Sequence, residues 1–181
     1  MAGAAGFVHY DSTDFFELSH AFARLPETIR QRVRIRAMGR IARTGRTRVV
    51  RRIAERVSIP QKFVRERTSA YAGPGGAEAV IKVRSDWIPL HKFGARQTRT
   101  GVTVRARGSY RHAFIATMQS GHAGVFMRTG SRRLPIQELF GPNPANDVNT
   151  SPEVYEELLA EIAERDVLPR ILHELDRALP G

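Results

Sequence analysis

The chain has 181 residues, with 29 Lys and Arg against 18 Asp and Glu for a net charge of +11, 41% apolar residues and no cysteine. This length suits one domain of ordinary size, and the apolar fraction can build a core, which excludes a wholly disordered chain. Without cysteine there are no disulfides or thiolate metal sites, in keeping with a reducing compartment.

No run of about 18 apolar residues is present to span a membrane, and Met1 to Phe7 is too short and uncharged for a secretory signal. The positive charge predicts affinity for polyanions or for an acidic protein surface. It is segregated along the chain. Between Ile29 and His112 there are twenty-two Lys or Arg and four acids, whereas Val148 to Gly181 holds eight acids and three arginines. One basic and one acidic pole can fold together or pair head to tail between copies.

In chain order, residues 1–10 read as a flexible start or, over Phe7-Val8-His9-Tyr10, a short strand. Asp11-Ser12-Thr13-Asp14 offers helix caps, and Phe15, Leu18, Phe22 and Leu25 repeat at helical spacing. Residues 26–57 predict one long basic helix. Pro26 suits a first helical position, Glu27 suits the positive end, and no proline follows until Pro60. Eleven arginines lie between Pro26 and Val57.

Two apolar sets run along that helix. Ile35, Met38, Ala42, Gly45, Val49 and Ile53 follow three-four spacing and read as the core stripe. Ile29, Val33, Ala37 and Ile41 lie four apart on another side and read as a patch for a neighbour. Arg32, Arg36, Arg40, Arg43, Arg48 and Arg51 project away from the first stripe. They are candidate contacts to nucleic-acid phosphates, which arginines neutralise without reading sequence.

Ser58-Ile59-Pro60 closes the helix, Phe63 to Tyr71 reads as a short helix, and Ala72-Gly73-Pro74-Gly75-Gly76 as a breaker and linker. Residues 78–140 form the sheet region. Ala79, Ile81 and Val83 alternate with polar neighbours, as do Val102, Val104 and Ala106 after an irregular Trp87–Gly94 segment. Arg99-Thr100-Gly101 and Arg107-Gly108-Ser109 read as turns. Tyr110 to Met118, apolar on both sides, suits a central strand. The expected product is one antiparallel sheet with Lys82, Arg84, Arg105 and Arg107 on its polar face.

Asn143 to Thr150 reads as a polar loop. A closing helix over residues 151–178 follows, capped by Ser151 and started by Pro152. Its apolar side is Val154, Leu158, Ile162, Leu168, Ile171, Leu172 and Leu175, its acidic side is Glu153, Glu157, Glu161 and Glu164, and Pro169 should kink or split it. The fold class is therefore α+β, an antiparallel sheet packed by a long N-terminal basic helix and a C-terminal acidic helix.

Nothing in the sequence argues for catalysis or a cofactor. His9, His20, His91, His112, His122 and His173 form no metal-ligand spacing, and no nucleophile elbow, phosphate-binding loop or dinucleotide fingerprint occurs. Glu153, Glu156 and Glu157 sit early in a helix, where acids stabilise the dipole. One function class open at this point is a free, non-specific nucleic-acid-binding protein using the arginine helix. A hydrolase hidden in the sheet region is the other, without a motif to support it.

The least generic stretch is Gly121-His122-Ala123-Gly124-Val125-Phe126-Met127-Arg128-Thr129-Gly130, followed by Arg133-Leu134-Pro135-Ile136-Gln137-Glu138-Leu139-Phe140-Gly141-Pro142. It reads as an apolar strand, a turn gathering Arg128, Arg132 and Arg133, and an edge or irregular strand at Leu134-Pro135-Ile136 that Leu139-Phe140 anchors. Two roles stay open for it: a core-closing hairpin with an extension, or a contact between subunits.

This stretch resembles the signature of the phage and prophage minor tail protein Z family. The layout of the chain, with its Leu25-Pro26 break, long basic helix, sheet and acidic closing helix, is also similar. The resemblance implies a single tail-completion-like domain over residues 1–181 and a non-enzymatic virion protein without cofactors or membrane contact. It further implies a ring, commonly a hexamer, at the head-proximal end of the tail. Its neighbours there would be the tail terminator and the head-tail connector, with the DNA end in its lumen and some of the six arginines facing that lumen.

Overall fold

A computed structural model of the chain describes residues 20, 22–105 and 107–179. The expected start over residues 1–10, the caps at Asp11–Asp14 and the first positions of the Phe15 repeat lie outside the described residues. Within them the fold is α+β: a long basic helix, small antiparallel sheets and a closing acidic helix.

Helix α1 spans Glu27–Arg56, 30 residues, close to the expected bounds. Glu27 sits in its first turn and pairs with Arg30 at 2.6 Å and Arg34 at 2.7 Å, so one carboxylate meets both the positive helix end and two guanidinia. At the other end Arg107 donates from Nη2 to the carbonyls of Val57, at 2.7 Å, and Ser58, at 3.1 Å, placing a cation at the negative terminus.

The buried face of α1 differs from the expected stripe. Val33, Ala37, Ile41, Gly45, Val49 and Ile53 are all buried, whereas Ile35 is 43% exposed. Positions four apart advance about 40° per step around a helix, so this burial sweeps about 200° between Val33 and Ile53. A fixed-face reading fails because the neighbours of α1 change along its length. Val33 and Ala37, placed in the patch for a neighbour, are 0% exposed and are not free to meet another subunit.

After α2 (Gln61–Arg65) the chain forms strand β1 (Thr68–Ala72), which pairs antiparallel with β2 (Ala79–Val83) from Thr68↔Val83 to Ala72↔Ala79. The expected helix over Phe63–Tyr71 therefore ends early, because Thr68 and Tyr71 favour a pleated surface and the β2 partner lies just downstream. The glycine-rich run is the hairpin connection, not a linker. Gly76, at φ +72°, presses on α1: an added Cβ would stand 2.5 Å from the Arg34 carbonyl carbon and the Ile35 nitrogen.

Instead of one sheet there are three. Strands β3 (Arg96–Thr98), β4 (Gly101–Val104) and β5 (Gly108–Arg111) form the second, in that order. Strands β6 (Ala113–Thr117), β7 (Ala123–Arg128) and β8 (Ile136–Glu138) form the third. Tyr110–Met118 is thus not one central strand. It is divided at His112, whose φ of 61° turns the chain from β5 into β6, and β7 holds the centre. Most of the run's apolar residues fall within β6, where Ala113 is 3% but Ile115 38% exposed, so they do not mark a strand buried on both faces. Because the strands divide among three sheets, Lys82, Arg84, Arg105 and Arg107 do not share one face, and Gly108 opens β5 in place of the expected turn.

Asn143–Thr150 is helical rather than a loop: Asn143 caps α3 (Pro144–Thr150) by accepting from the Ala145 amide at 3.1 Å. Helix α4 (Pro152–Asp176) continues through Pro169 without splitting. Pro169 and Ile41 of α1 line the same groove between the two long helices. Tyr155, Leu158 and Ile162 of α4 enter the core, but Leu168 and Leu172 of the expected apolar side are 39% and 43% exposed.

The core collects Ile53, Val64, Ile88, Leu90, Val102, Val125 and Ile162, drawn from both long helices, α2, the second and third sheets and the segment before β3. Each such side chain contributes about 1.5–3 kcal/mol on burial. Gly45 marks where α1 is enclosed, since a Cβ there would lie 2.6 Å from Ile81 Cδ1 of β2 and 3.9 Å from Ile162 Cδ1 of α4.

Candidate functional site

The six candidate arginines on α1 do not share one environment. Arg32, Arg36, Arg40, Arg43 and Arg51 are exposed, while Arg48 is half-buried. Arg48 reaches α4, with Nη1 at 3.1 Å from Glu161 and Nη2 at 3.7 Å from Asp166. Arg51 pairs with Glu55 one turn on, at 2.9 Å. Among the described residues Arg32, Arg36, Arg40 and Arg43 have no acidic partner, and their spacing of four, four and three sets them on one ridge.

Arg52, also exposed, has no acidic partner among the described residues, whereas Arg46 and Arg56 serve the packing of α1. Arg46 donates to the carbonyls of Thr68 and Arg65, each at 2.8 Å, and so ties α1 to the end of α2 and the start of β1. Arg56 donates from Nε to Asp147 at 3.0 Å and from Nη2 to Ser151 at 2.8 Å. The basic and acidic poles thus meet within one subunit at Arg48, and four of the unpaired arginines lie between Arg32 and Arg43.

Beside the ridge, an open groove of about 540 Å³ runs between α1, β1 and the end of α4, with Arg36, Arg40, Arg43 and Arg177 on its walls and Glu174 in its lining. Glu174 is 3% exposed, with Arg170 Nη1 at 3.8 Å. Tyr71 and Ile35 also line it and are 51% and 43% exposed. Sequence reasoning misses this aromatic beside the arginines, because Tyr71 comes from β1, a strand whose local pattern suggests helix.

The Gly121–Pro142 stretch ties β7 and β8 to the core. Gly121, at φ +81°, makes the turn into β7, and Val125 and Phe126 are 0% and 5% exposed. Gly124 leaves room for its neighbours, since a Cβ there would meet Glu138 Oε1 at 2.8 Å and the Phe126 ring at 2.9 Å. His122 Nε2 lies 2.9 Å from Glu138 Oε2 across the two strands. Arg128 stands over the Phe114 ring at 5.3 Å from its centroid.

Beyond β8 the chain lies along the Ile88–Phe93 segment. Leu139 donates to Val125 at 2.8 Å and Gly141 to Ile88 at 2.7 Å, while Leu90 donates to Leu139 at 3.3 Å. Gly141 permits this approach, because a Cβ would stand 2.7 Å from the Phe93 ring. Asn143, 4% exposed, fastens the end by accepting from the Asp86 amide at 3.2 Å and donating to Ser85 at 2.8 Å.

The motif therefore has a buried half and an outward half. Ile136, Glu138, Leu139, Gly141 and Pro142 are half-buried, whereas Gly130, Arg133, Leu134 and Pro135 are exposed. Leu134 is 65% exposed and Phe140 46%, so Phe140 is not the expected anchor. Leu139 holds that place, packed against the core.

His91 approaches the same corner, its ring centroid 6.4 Å from that of His122. Burial pushes the His91 imidazole below the ordinary range, with Lys92 adding to the effect. Among the described residues no group of three His, Cys, Asp or Glu is arranged to hold a metal ion. No described helix is long and apolar enough to cross a membrane.

No curated protein and no solved structure matches this chain. The sequence model described as Prophage minor tail protein Z (GPZ) matches residues 20–179, which includes both long helices, all three sheets and the Gly121–Pro142 stretch. The chain belongs to the prophage minor tail protein Z family, and so to the minor tail proteins of bacteriophages.

Proposed function

We propose that this protein is a ring-forming tail completion component at the head-proximal end of a phage or tail-like particle. It would join the tail to the head connector and surround the DNA path, with no catalytic role. The observation that carries this reading is the ridge of Arg32, Arg36, Arg40 and Arg43, exposed and without acidic partners among the described residues, on a 30-residue helix held by α4 and the first sheet. In a minor tail protein, such a ridge suits DNA lying along a lumen, where phosphate contacts need no sequence readout.

In this reading six copies form the ring, the tail terminator and head-tail connector are its neighbours, and the outward half of the motif, Arg133 and Leu134 above all, meets another subunit. Electron microscopy of purified particles tests it: a ring of this protein at the neck is the expected result, and its absence from mature particles overturns the assignment.

A free nucleic-acid-binding protein would use the same ridge. Salt titration separates the two. Tight binding by the isolated monomer with a steep salt slope favours the free protein, whereas binding that requires the assembled ring favours the tail component.

A further inference from the structure

A second basic surface lies at the opposite end of α1. Phe63 and Phe93 meet edge to face with centroids 5.1 Å apart, and beside them opens a cleft of about 480 Å³. Lys62, Lys92, Arg105 and Arg107 line this cleft, and no carboxylate does. Arg107 is fixed in place, bonded to Val57 and stacked over Phe93 at 5.5 Å. Lys62 stands over Phe63 at 5.7 Å. Phe63 and Phe93 are 7% and 9% exposed, so the cleft offers a little aromatic surface under a dominant cationic rim, which suits an apolar side chain flanked by carboxylates.

The chain carries such a stretch in Asp11-Ser12-Thr13-Asp14-Phe15-Phe16-Glu17-Leu18, which has three acids, no base and two adjacent phenylalanines. It precedes α1, and the chain enters α1 at the end remote from the cleft. Ala23 is held there by Arg30 Nη1 at 3.2 Å. Phe15 lies five residues before His20, a reach of at most about 17 Å. Helix α1 alone spans about 45 Å between that end and the cleft. The stretch cannot fill the cleft of its own subunit.

We propose that the Phe63–Phe93 cleft receives the Asp11–Leu18 segment of another copy of this chain. The contact joins one end of α1 to the opposite end of α1 in the next copy. It is heterologous, the kind that closes into a ring when the rotation permits. As a route to assembly, it rests on the ring reading given above.

The test uses the full chain carrying F15A/F16A, so that its own segment does not compete, and a fluorescent peptide of residues 9–19 as probe. Circular dichroism confirms that each variant is folded. The peptide is expected to bind, and adding K92E/R105E to the receptor is expected to weaken it at least about tenfold. A peptide with D14K/E17K should regain affinity for that charge-reversed receptor. Absence of peptide binding, or equal binding to both receptors, overturns the proposal. A short oligothymidylate that binds the cleft more tightly than the peptide, with the same dependence on Lys92 and Arg105, also overturns it, in favour of a polynucleotide.

Sedimentation of the unsubstituted chain reads the ring separately. Peptide binding without assembly leaves the segment contact standing and removes the ring. Assembly unchanged by F15A/F16A, with no peptide binding, removes the segment contact alone.

Discussion

Arg56, in the last turn of α1, donates from Nε to Asp147 of α3 at 3.0 Å, and the same carboxylate accepts the hydroxyl of Tyr155 from α4. Three helices are joined at one side chain, and Tyr155 is 4% exposed. Asp147→Ala leaves the buried Tyr155 hydroxyl without its partner and should destabilise by about 2–3 kcal/mol, against about 1 kcal/mol for Tyr155→Phe, which keeps the Arg56–Asp147 pair. Denaturant unfolding of the two variants checks the order.

The Tyr155 phenol is pushed up, first by burial and then by its bond to Asp147. Its protonated form is favoured in the fold, so its contribution is complete below about pH 10 and is lost as pH rises toward the folded value. Ultraviolet tyrosine titration should show this hydroxyl ionising late, together with unfolding. Tyr155→Phe should remove that late component.

His91 gives the opposite slope. Its imidazole is held low by burial, so below about pH 6.5 the unfolded chain takes up a proton that the folded chain resists. Stability from this group is present above that pH and declines as pH falls through the folded value. Melting temperature should therefore fall between pH 7 and pH 5, and His91→Gln should flatten that dependence.

Two glycines should respond with opposite signs. Gly76→Ala places a Cβ against the α1 backbone at a positive φ and should cost about 2 kcal/mol or more. Gly39→Ala meets nothing within 4 Å in the middle of α1 and should stabilise by about 0.5–1 kcal/mol. Thermal unfolding of both variants checks the pair.

The arginine ridge can be separated from the arginines that hold the fold. Replacing Arg32, Arg36, Arg40 and Arg43 by Gln should leave stability within about 0.5 kcal/mol per site. The salt slope of duplex binding should fall by about 0.9 for every phosphate that the ridge no longer neutralises. Arg48→Gln should do the reverse: a loss of up to about 1 kcal/mol from its half-exposed pairs with α4, and an unchanged salt slope. DNA-binding isotherms at several salt concentrations, read beside melting curves, distinguish the sets.

Much of the architecture is legible in the sequence because it is written in local chemistry. Pro26 and Glu27 mark the start of α1, and Pro152 opens α4 as expected, although the Ser151 side chain makes no capping bond and accepts from Arg56 instead. The family is legible for a different reason. Gly121, Gly124 and Gly141 stand where a turn or a close approach excludes a side chain, and all three fall within one short contiguous stretch. The short helix expected over Phe63–Tyr71 fails because strand formation at Thr68–Ala72 depends on Ala79–Val83, a partner that local propensity does not see.

The sequence by itself determined the helical and strand-rich regions, the segregation of charge and the family, since these follow from caps, breakers, periodicity and a contiguous motif. Tertiary structure decided what each arginine does. Arg46, Arg48 and Arg56 lie on the same helix as Arg32, Arg36, Arg40 and Arg43, and nothing in their spacing marks them apart. Only the approach of β1, α3 and α4 turns the first group into ties within the subunit and leaves the second as free charge. The same enclosure buries Val33 and Ala37 and exposes Ile35, because a helix covered by different neighbours along its length has no single inner face.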